Sequence, residues 1–372
     1  MNSKMNDFSY WKQKYESDEL EEFNSNPFGL LWLKLKSITR NELMTEFLNI
    51  NNIPLNSKKL NDKFNELFAL FSKDIDHSTL MVEKFIKQRS KHELSNFNTE
   101  EINSELYKLR YFDWGGDYKN ALDKFLVDKY IKVYKNYDEL IIKIDNEINR
   151  AVYDYILCSW YNHWSSILIE NIFKQHPNVL PTVGKIKKVD FFINDIPFDL
   201  KVTYLPSNYI ETKRKEKGLK SELTYLKQQA KIANISYSPN ARSNDIYYEI
   251  VEKMRSRKDE VCSDTLEVLK NERIIILNDT IRRPKDLIKN LYEEQGEMRF
   301  DSSNRLFLVL VDREDFDNSW KLKRNLEILI PSINDYLNNF NKKKMNDLIV
   351  KFKYKNKLTD FSALSDIIFI IK

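Results

Sequence analysis

The sequence predicts an α/β protein: a mixed sheet flanked by helices over residues 146–372, preceded by a largely helical region over residues 1–145. Three observations carry this reading. Residues 1–145 repeat apolar side chains at helical spacing. From about 146 onward, helical stretches alternate with short apolar segments of strand length. Within that second part, two extended segments, 185–194 and 196–203, meet at Asn194-Asp195, a good two-residue hairpin turn because both residue types tolerate φ > 0.

Taken in order, Pro27–Ile50, Leu60–Ser72, Thr79–Ser90, Thr99–Arg110 and Tyr118–Tyr134 each read as helix. Thr99-Glu-Glu-Ile is an N-terminal helix signature, with Thr99 capping and Ile102 opening the apolar stripe. Asp113-Trp-Gly-Gly-Asp117 holds the one glycine pair and makes a firm turn; Trp114 fits a packed corner better than a nucleic-acid contact. Glu147–Gln175 reads as a long helix with a stripe of Ile148, Val152, Tyr155, Ile156, Trp160, His163, Ile167 and Leu168, which makes His163 a core or interface residue. Pro177 and Pro181 end that helix and lead into the hairpin. A basic loop follows Thr203, then a helix over Glu222–Asn234, where Gln228 and Gln229 read as a polar face. Further strands are expected at Glu272–Asn278, Arg305–Val311, Leu348–Tyr354 and Asp366–Ile371, with a helix before the Arg305 strand. No linker, low-complexity segment or internal repeat separates the two parts, so the boundary near 145 is soft.

Composition narrows the class. A chain of 372 residues can bury one large core or two modest ones. It has no run of 18 apolar residues and no signal-peptide-like apolar region near Met1, so a soluble, cytoplasmic protein without membrane association is expected. Cys158 and Cys262 cannot build a disulfide framework and point to a reducing compartment. The four histidines show no zinc spacing, and no glycine-rich phosphate loop is present.

The chemistry lies in the hairpin. A two-residue turn sets 193 opposite 196, 192 opposite 197, 191 opposite 198 and 190 opposite 199, so Asp190 and Asp199 become neighbours with Cβ atoms roughly 5 Å apart. Alternation puts Lys201 on the face of Asp199 and turns Phe198, Leu200 and Val202 into a core on the other. Adjacent carboxylates repel, and each raises the pKa of the other. A divalent cation removes that difficulty: Mg²⁺ takes oxygen ligands and keeps several waters, leaving room for a phosphate oxygen. A lysine beside it can hold the attacking water and offset charge on the phosphate. A surface ion pair would use the same residues, and the triplets Asp117-Tyr-Lys119 and Glu211-Thr-Lys213 match the acidic-x-Lys spacing without following an apolar strand or facing a second acid.

With Glu170 in the last turns of the preceding helix, this pattern resembles the PD-(D/E)xK nuclease superfamily, which includes many type II restriction endonucleases. The resemblance covers roughly residues 147–234. It implies that Glu170 is the helix acid, Asp190 the first metal-binding Asp, Asp199 the second acid and Lys201 the catalytic lysine. Val189 stands where the family pattern has proline. The resemblance also implies a restriction-endonuclease-like core and Mg²⁺-dependent hydrolysis of double-stranded DNA at a specific site. A homodimer is expected if both strands are cut, since one site cleaves one strand at a time. A cognate DNA methyltransferase acting on the same site would accompany such an enzyme. A phage-defence effector, a nickase, a modification-dependent or RNA-cleaving nuclease, and a catalytically silent DNA-binding module are the alternatives.

Net charge of +4 does not by itself establish nucleic-acid binding. Its distribution offers three candidate contacts. Lys213, Arg214 and Lys215, with Lys217 and Lys220, lie in the basic segment after the hairpin. Lys321, Lys323 and Arg324 follow Trp320. Lys351, Lys353 and Lys355 alternate on one face of an expected strand, a ribbon able to track a phosphate backbone or to protect a sheet edge. The helical region 1–145 is the expected recognition or dimerisation module.

Overall fold

The computed structural model describes residues 7–17, 19–110, 122–186, 188–295, 303–353 and 360–372. The chain opens with α1 (Phe8–Glu16), α2 (Pro27–Ser37), α3 (Asn41–Ile50), α4 (Leu60–Phe71), α5 (Ile75–Ser95) and α6 (Thr99–Lys108). Short polar side chains start four of them: Asp7, Asn26, Asp74 and Asn98 each accept a first-turn backbone N–H, which satisfies a donor the helix itself cannot pair. The cap of α6 is therefore Asn98 rather than the expected Thr99. Pro27–Ile50, expected as one helix, is two. Ser37 and Thr39 turn their hydroxyls onto the carbonyls of Lys34 and Lys36, both at 2.7 Å, and such local bonding competes with helix continuation.

After α7 (Leu122–Leu126) and α8 (Tyr137–Lys143), each followed by a π-helical turn, α9 (Asn149–Gln175) leads into the sheet. Strands β1 (Val179–Ile186), β2 (Val189–Ile193) and β3 (Ile196–Tyr204) form an antiparallel meander. Helices α10 (Ser207–Glu216), α11 (Glu222–Ile232), α12 (Ser243–Arg257), α13 (Glu260–Arg282) and α14 (Pro284–Gln295) come before β4 (Arg305–Val311). A 3₁₀ segment (Phe316–Arg324), α15 (Leu326–Asn339), β5 (Ile349–Phe352) and β6 (Phe361–Ile371) complete the chain. The six strands lie in the order β1-β2-β3-β4-β6-β5; β3, β4 and β6 are mutually parallel and the remaining pairs antiparallel. Every residue of β4 is buried, as expected of a central parallel strand covered on both faces.

Strand alternation distributes the cores. Phe191, Ile193, Phe198, Leu306, Leu308 and Leu310 pack with Ile169, Ile172 and Phe173 of α9 and Leu329 and Ile333 of α15. Phe307, Val309 and Val311, on the opposite face of β4, pack with Ile276 and Leu277 of α13 and Leu287, Ile288 and Leu291 of α14. The N-terminal helices bring an aromatic core that includes Trp11, Trp32, Phe47 and Phe68 onto Leu180, Val183, Ile186 and Phe192 of β1 and β2. The helical region therefore shares its core with the sheet. β1 comes so close to the end of α2 that a Cβ on Gly184 would lie 2.0 Å from the carbonyl oxygen of Ser37.

Several expectations are corrected. Residues 185–194 are not one strand: Lys188 takes a positive φ of 64° and divides β1 from β2. Pro181 lies within β1, an edge strand, where a missing N–H is tolerated. Glu272–Asn278 belongs to α13. Its β-branched Ile274-Ile275-Ile276 run suits a strand locally, but burial of Ile276 and Leu277 against the sheet overrides that preference. The basic loop is helix α10, closed by Gly218 at φ 72°, a left-handed position where glycine carries no Cβ penalty. Of the expected stripe on α9, Leu168 alone is buried, and His163 is exposed. The buried positions include Cys158, Tyr161, Leu168, Ile169, Ile172 and Phe173; apolar residues surround this helix, so spacing alone does not single out a face. Tyr118 and the 113–117 turn lie outside the described residues. Among the described residues no helix is long and apolar enough to cross a membrane.

Candidate active site

The β2–β3 hairpin has the register that its turn residues dictate. Phe191, Phe192 and Ile193 pair with Phe198, Pro197 and Ile196, and Asn194 and Asp195 take φ of 48° and 64°. The N-terminal helices hold the turn in place. Lys34 of α2, 1% exposed, reaches Asp195 and Glu83 of α5, each at 2.6 Å.

Backbone pairing between β2 and β3 ends at Phe191–Phe198; beyond it the Asp199 N–H goes to the Asn304 carbonyl and the Leu200 N–H to a side chain. Asp190 and Asp199 are thus not a ladder pair, although both remain at this divergence. The Asp190 carboxylate fills the gap: its Oδ2 accepts the Leu200 N–H at 2.8 Å. On the same strand, Lys201 Nζ donates to Asp199 Oδ1 at 2.7 Å. Burial is the main cause that pushes Asp190 up to about 7, and the negative charges of Asp199 and Glu170 push in the same direction. The bond from Leu200 and the charge of Lys201 oppose them. Glu170 acts on Asp190 through its charge, while its own carboxylate is held by Lys174 at 2.6 Å. The hairpin and α9 thus bring all four expected residues, Glu170, Asp190, Asp199 and Lys201, into one electrostatic unit.

Two residues that the hairpin does not reveal complete the surroundings of Asp199. Arg305, 1% exposed, is its parallel neighbour on β4, with Nε 3.5 Å from Asp199 Oδ2 and the guanidinium over the Tyr292 ring at 5.1 Å. Asn304 joins three strands: its carbonyl accepts the Asp199 N–H at 3.0 Å, its amide nitrogen donates to the Pro197 carbonyl at 3.0 Å, and its amide oxygen accepts the Leu364 N–H at 2.9 Å. The sequence signal was a polar Asn-Arg pair opening an otherwise apolar strand; its partner strand lies far away along the chain.

Two neighbouring carboxylates are hard oxygen donors of the kind Mg²⁺ prefers, and the charges of Asp199 and Glu170 add to the burial that pushes Asp190 up. Among the described residues, no group of three or more His, Cys, Asp or Glu is arranged to hold an ion. Two carboxylates alone would leave a cation most of its water.

The basic patches fare differently. Arg214 is 1% exposed, donates to the Lys220 carbonyl at 2.9 Å and pairs with Glu272. Lys213 pairs with Glu216 and Asp286 at 3.0 and 3.2 Å, and Lys215 is exposed. Lys323 is buried on Asn162 Oδ1 at 2.7 Å. Arg324 is buried too, donating to the carbonyls of Leu106 and Leu109. Arg214, Lys323 and Arg324 therefore join elements of the fold rather than face a nucleic acid, because a buried cation must use its charge on internal acceptors. Lys321 lies over the Trp320 ring at 5.5 Å. Lys351 is exposed on β5, Lys353 pairs with Asp360 at 3.3 Å, and Lys355 lies outside the described residues. Gln228 accepts from Lys220 at 3.0 Å.

Comparison of the chain with protein-family models, with curated proteins and with solved structures yields no match.

Proposed function

We propose that this chain is a Mg²⁺-dependent endonuclease that hydrolyses DNA phosphodiester bonds, acting on double-stranded DNA at a specific site in the manner of a type II restriction endonuclease. The observation that carries the reading is the meeting of Asp190, Asp199 and Lys201 where β2 and β3 part, with Asp190 pushed up by burial and, after it, by its acidic neighbours. The order of elements supports it: a helix bearing Glu170, three meandering strands that carry the acids and the lysine, then helices and a strand parallel to the third. Neither cysteine forms a disulfide and both are buried, which fits a reducing, cytoplasmic setting.

In this reading Asp190 and Asp199 hold the cation. Mg²⁺, when bound, supplies Lewis-acid polarisation of the phosphate and its water. Lys201 is half-exposed beside Asp199, so its ammonium can orient a water and offset charge on the phosphate. Arg305 and Asn304 fix Asp199 from the neighbouring strand, and Lys34 fixes the turn. Cutting both strands calls for two copies, hence a homodimer. Incubation of unmethylated phage DNA with and without Mg²⁺, followed by end-mapping, tests the substrate. Discrete ends mean site-specific cutting, and a smear means an indiscriminate nuclease. An activity that EDTA leaves unchanged means a DNA-binding module with a structural acidic cluster.

A further inference from the structure

A cavity of about 440 Å³ lies beyond the carboxyl ends of the parallel strands β3 and β4, between the starts of α10, α11 and α12 and the 3₁₀ segment. Its size is that of a small-ligand site, and its place is where open α/β sheets commonly bind ligands. Tyr247, Tyr248 and Phe316 bring aromatic rings to its lining. Its base is rigid: Arg273 grips Glu222 with two bonds of 2.7 and 2.6 Å and donates to the Tyr247 hydroxyl at 2.8 Å.

Asn208 and Asn244 bring exposed amides to the lining. The ion-pair contacts of the Asp317 carboxylate to Arg255 and Arg273 are long, at 3.6 and 3.9 Å. Asp317 also lines an adjoining cavity of about 370 Å³. Burial pushes its carboxyl up. A phosphate does not suit this lining, because Glu211, Glu222 and Asp317 outnumber Arg273. A flat, neutral ring with N–H donors does suit it: aromatic side chains stack on its faces while a carboxylate and amides read its edge.

We propose that this cavity receives an unstacked nucleobase, from a DNA strand or from a free nucleoside, with Asp317 accepting its N–H groups. Tyr204, which lines the cavity, lies three positions after Lys201 on β3, about 10 Å along the strand. The choice of a nucleobase rests on the nuclease reading; the shape and chemistry of the cavity do not.

The test has two probes. Isothermal titration of the full chain with adenosine, guanosine, cytidine and thymidine reads the free nucleoside. A duplex carrying 2-aminopurine, whose fluorescence rises on unstacking, reads a base drawn from DNA. Saturable binding or a fluorescence rise is expected, weakened about tenfold by Asp317→Asn, the scale of one charged hydrogen bond, and also weakened by Tyr248→Ala, with unchanged melting temperatures. Nucleoside binding alone assigns the site to free nucleosides, and a rise alone assigns it to DNA. Silence in both probes, or equal binding by Asp317→Asn, overturns the proposal. Asp199→Ala separates the two readings, since it removes cleavage and leaves nucleoside binding intact.

Discussion

Arg305 and Asp199 are in-register neighbours on parallel strands, and the guanidinium is buried with its Nε 3.5 Å from the carboxylate. A buried cation beside a buried acid holds Asp199 in place. Arg305→Met should lower cleavage about 10–100-fold, the usual effect of losing a group that orients a metal ligand. It should also destabilise the fold by on the order of 3 kcal/mol, because a charged partner is left inside. Urea unfolding of Asp199→Asn, Arg305→Met and the double variant checks this, with the double variant less destabilised than the sum of the singles.

Asp190 gives the fold a pH dependence. Its value rises from 3.8 to about 7 on folding, so the native state binds more protons than the unfolded chain across that window. Metal-free stability therefore falls as pH rises through it. Asp190→Asn keeps an acceptor for the Leu200 N–H and removes the charge. Its melting temperature without metal should exceed wild type at pH 8, with the gain fading towards pH 4. Mg²⁺ should raise the wild-type value at pH 8 and leave that of Asp190→Asn nearly unchanged.

The hairpin depends on Lys34, which joins α2, α5 and the turn through Glu83 and Asp195. Lys34→Met should cost about 2 kcal/mol in urea unfolding, the scale of a hydrogen bond to a charged group. Cleavage should fall further than stability at temperatures where the protein remains folded, because the turn sets the position of both aspartates.

Gly184 tests the packing of β1 against α2. An added Cβ meets the Ser37 carbonyl at 2.0 Å, and backbone cannot move aside as a flexible side chain does. Gly184→Ala should destabilise by about 1–3 kcal/mol, as overpacking does, read by thermal unfolding.

The turn, the register and the outward face of Lys201 were legible in the sequence because Asn194-Asp195 and strand alternation are local signals. Alternation also carries the ladder on to Asp190 and Asp199, where it has already ended, because alternation does not show that the Leu200 N–H is taken by the Asp190 side chain. Arg305 and Asn304 were hidden for a related reason: a parallel neighbour comes from a distant part of the chain. Arg214, Lys323 and Arg324 read as surface charge because sequence does not show which cations have buried acceptors. The Ile274–Ile276 run looked like a strand, and only its packing in α13 against the sheet decides otherwise.

The most direct measurement is supercoiled-plasmid cleavage by wild type, Asp199→Ala and Lys201→Ala, each with Mg²⁺ and with EDTA, alongside DNA binding in Ca²⁺. Wild type should cut with Mg²⁺ and fall silent in EDTA. Both variants should lose on the order of a thousandfold in rate while still binding DNA in Ca²⁺. Full cleavage by either variant, or wild-type cleavage that persists in EDTA, would contradict the assignment of this hairpin as the catalytic centre.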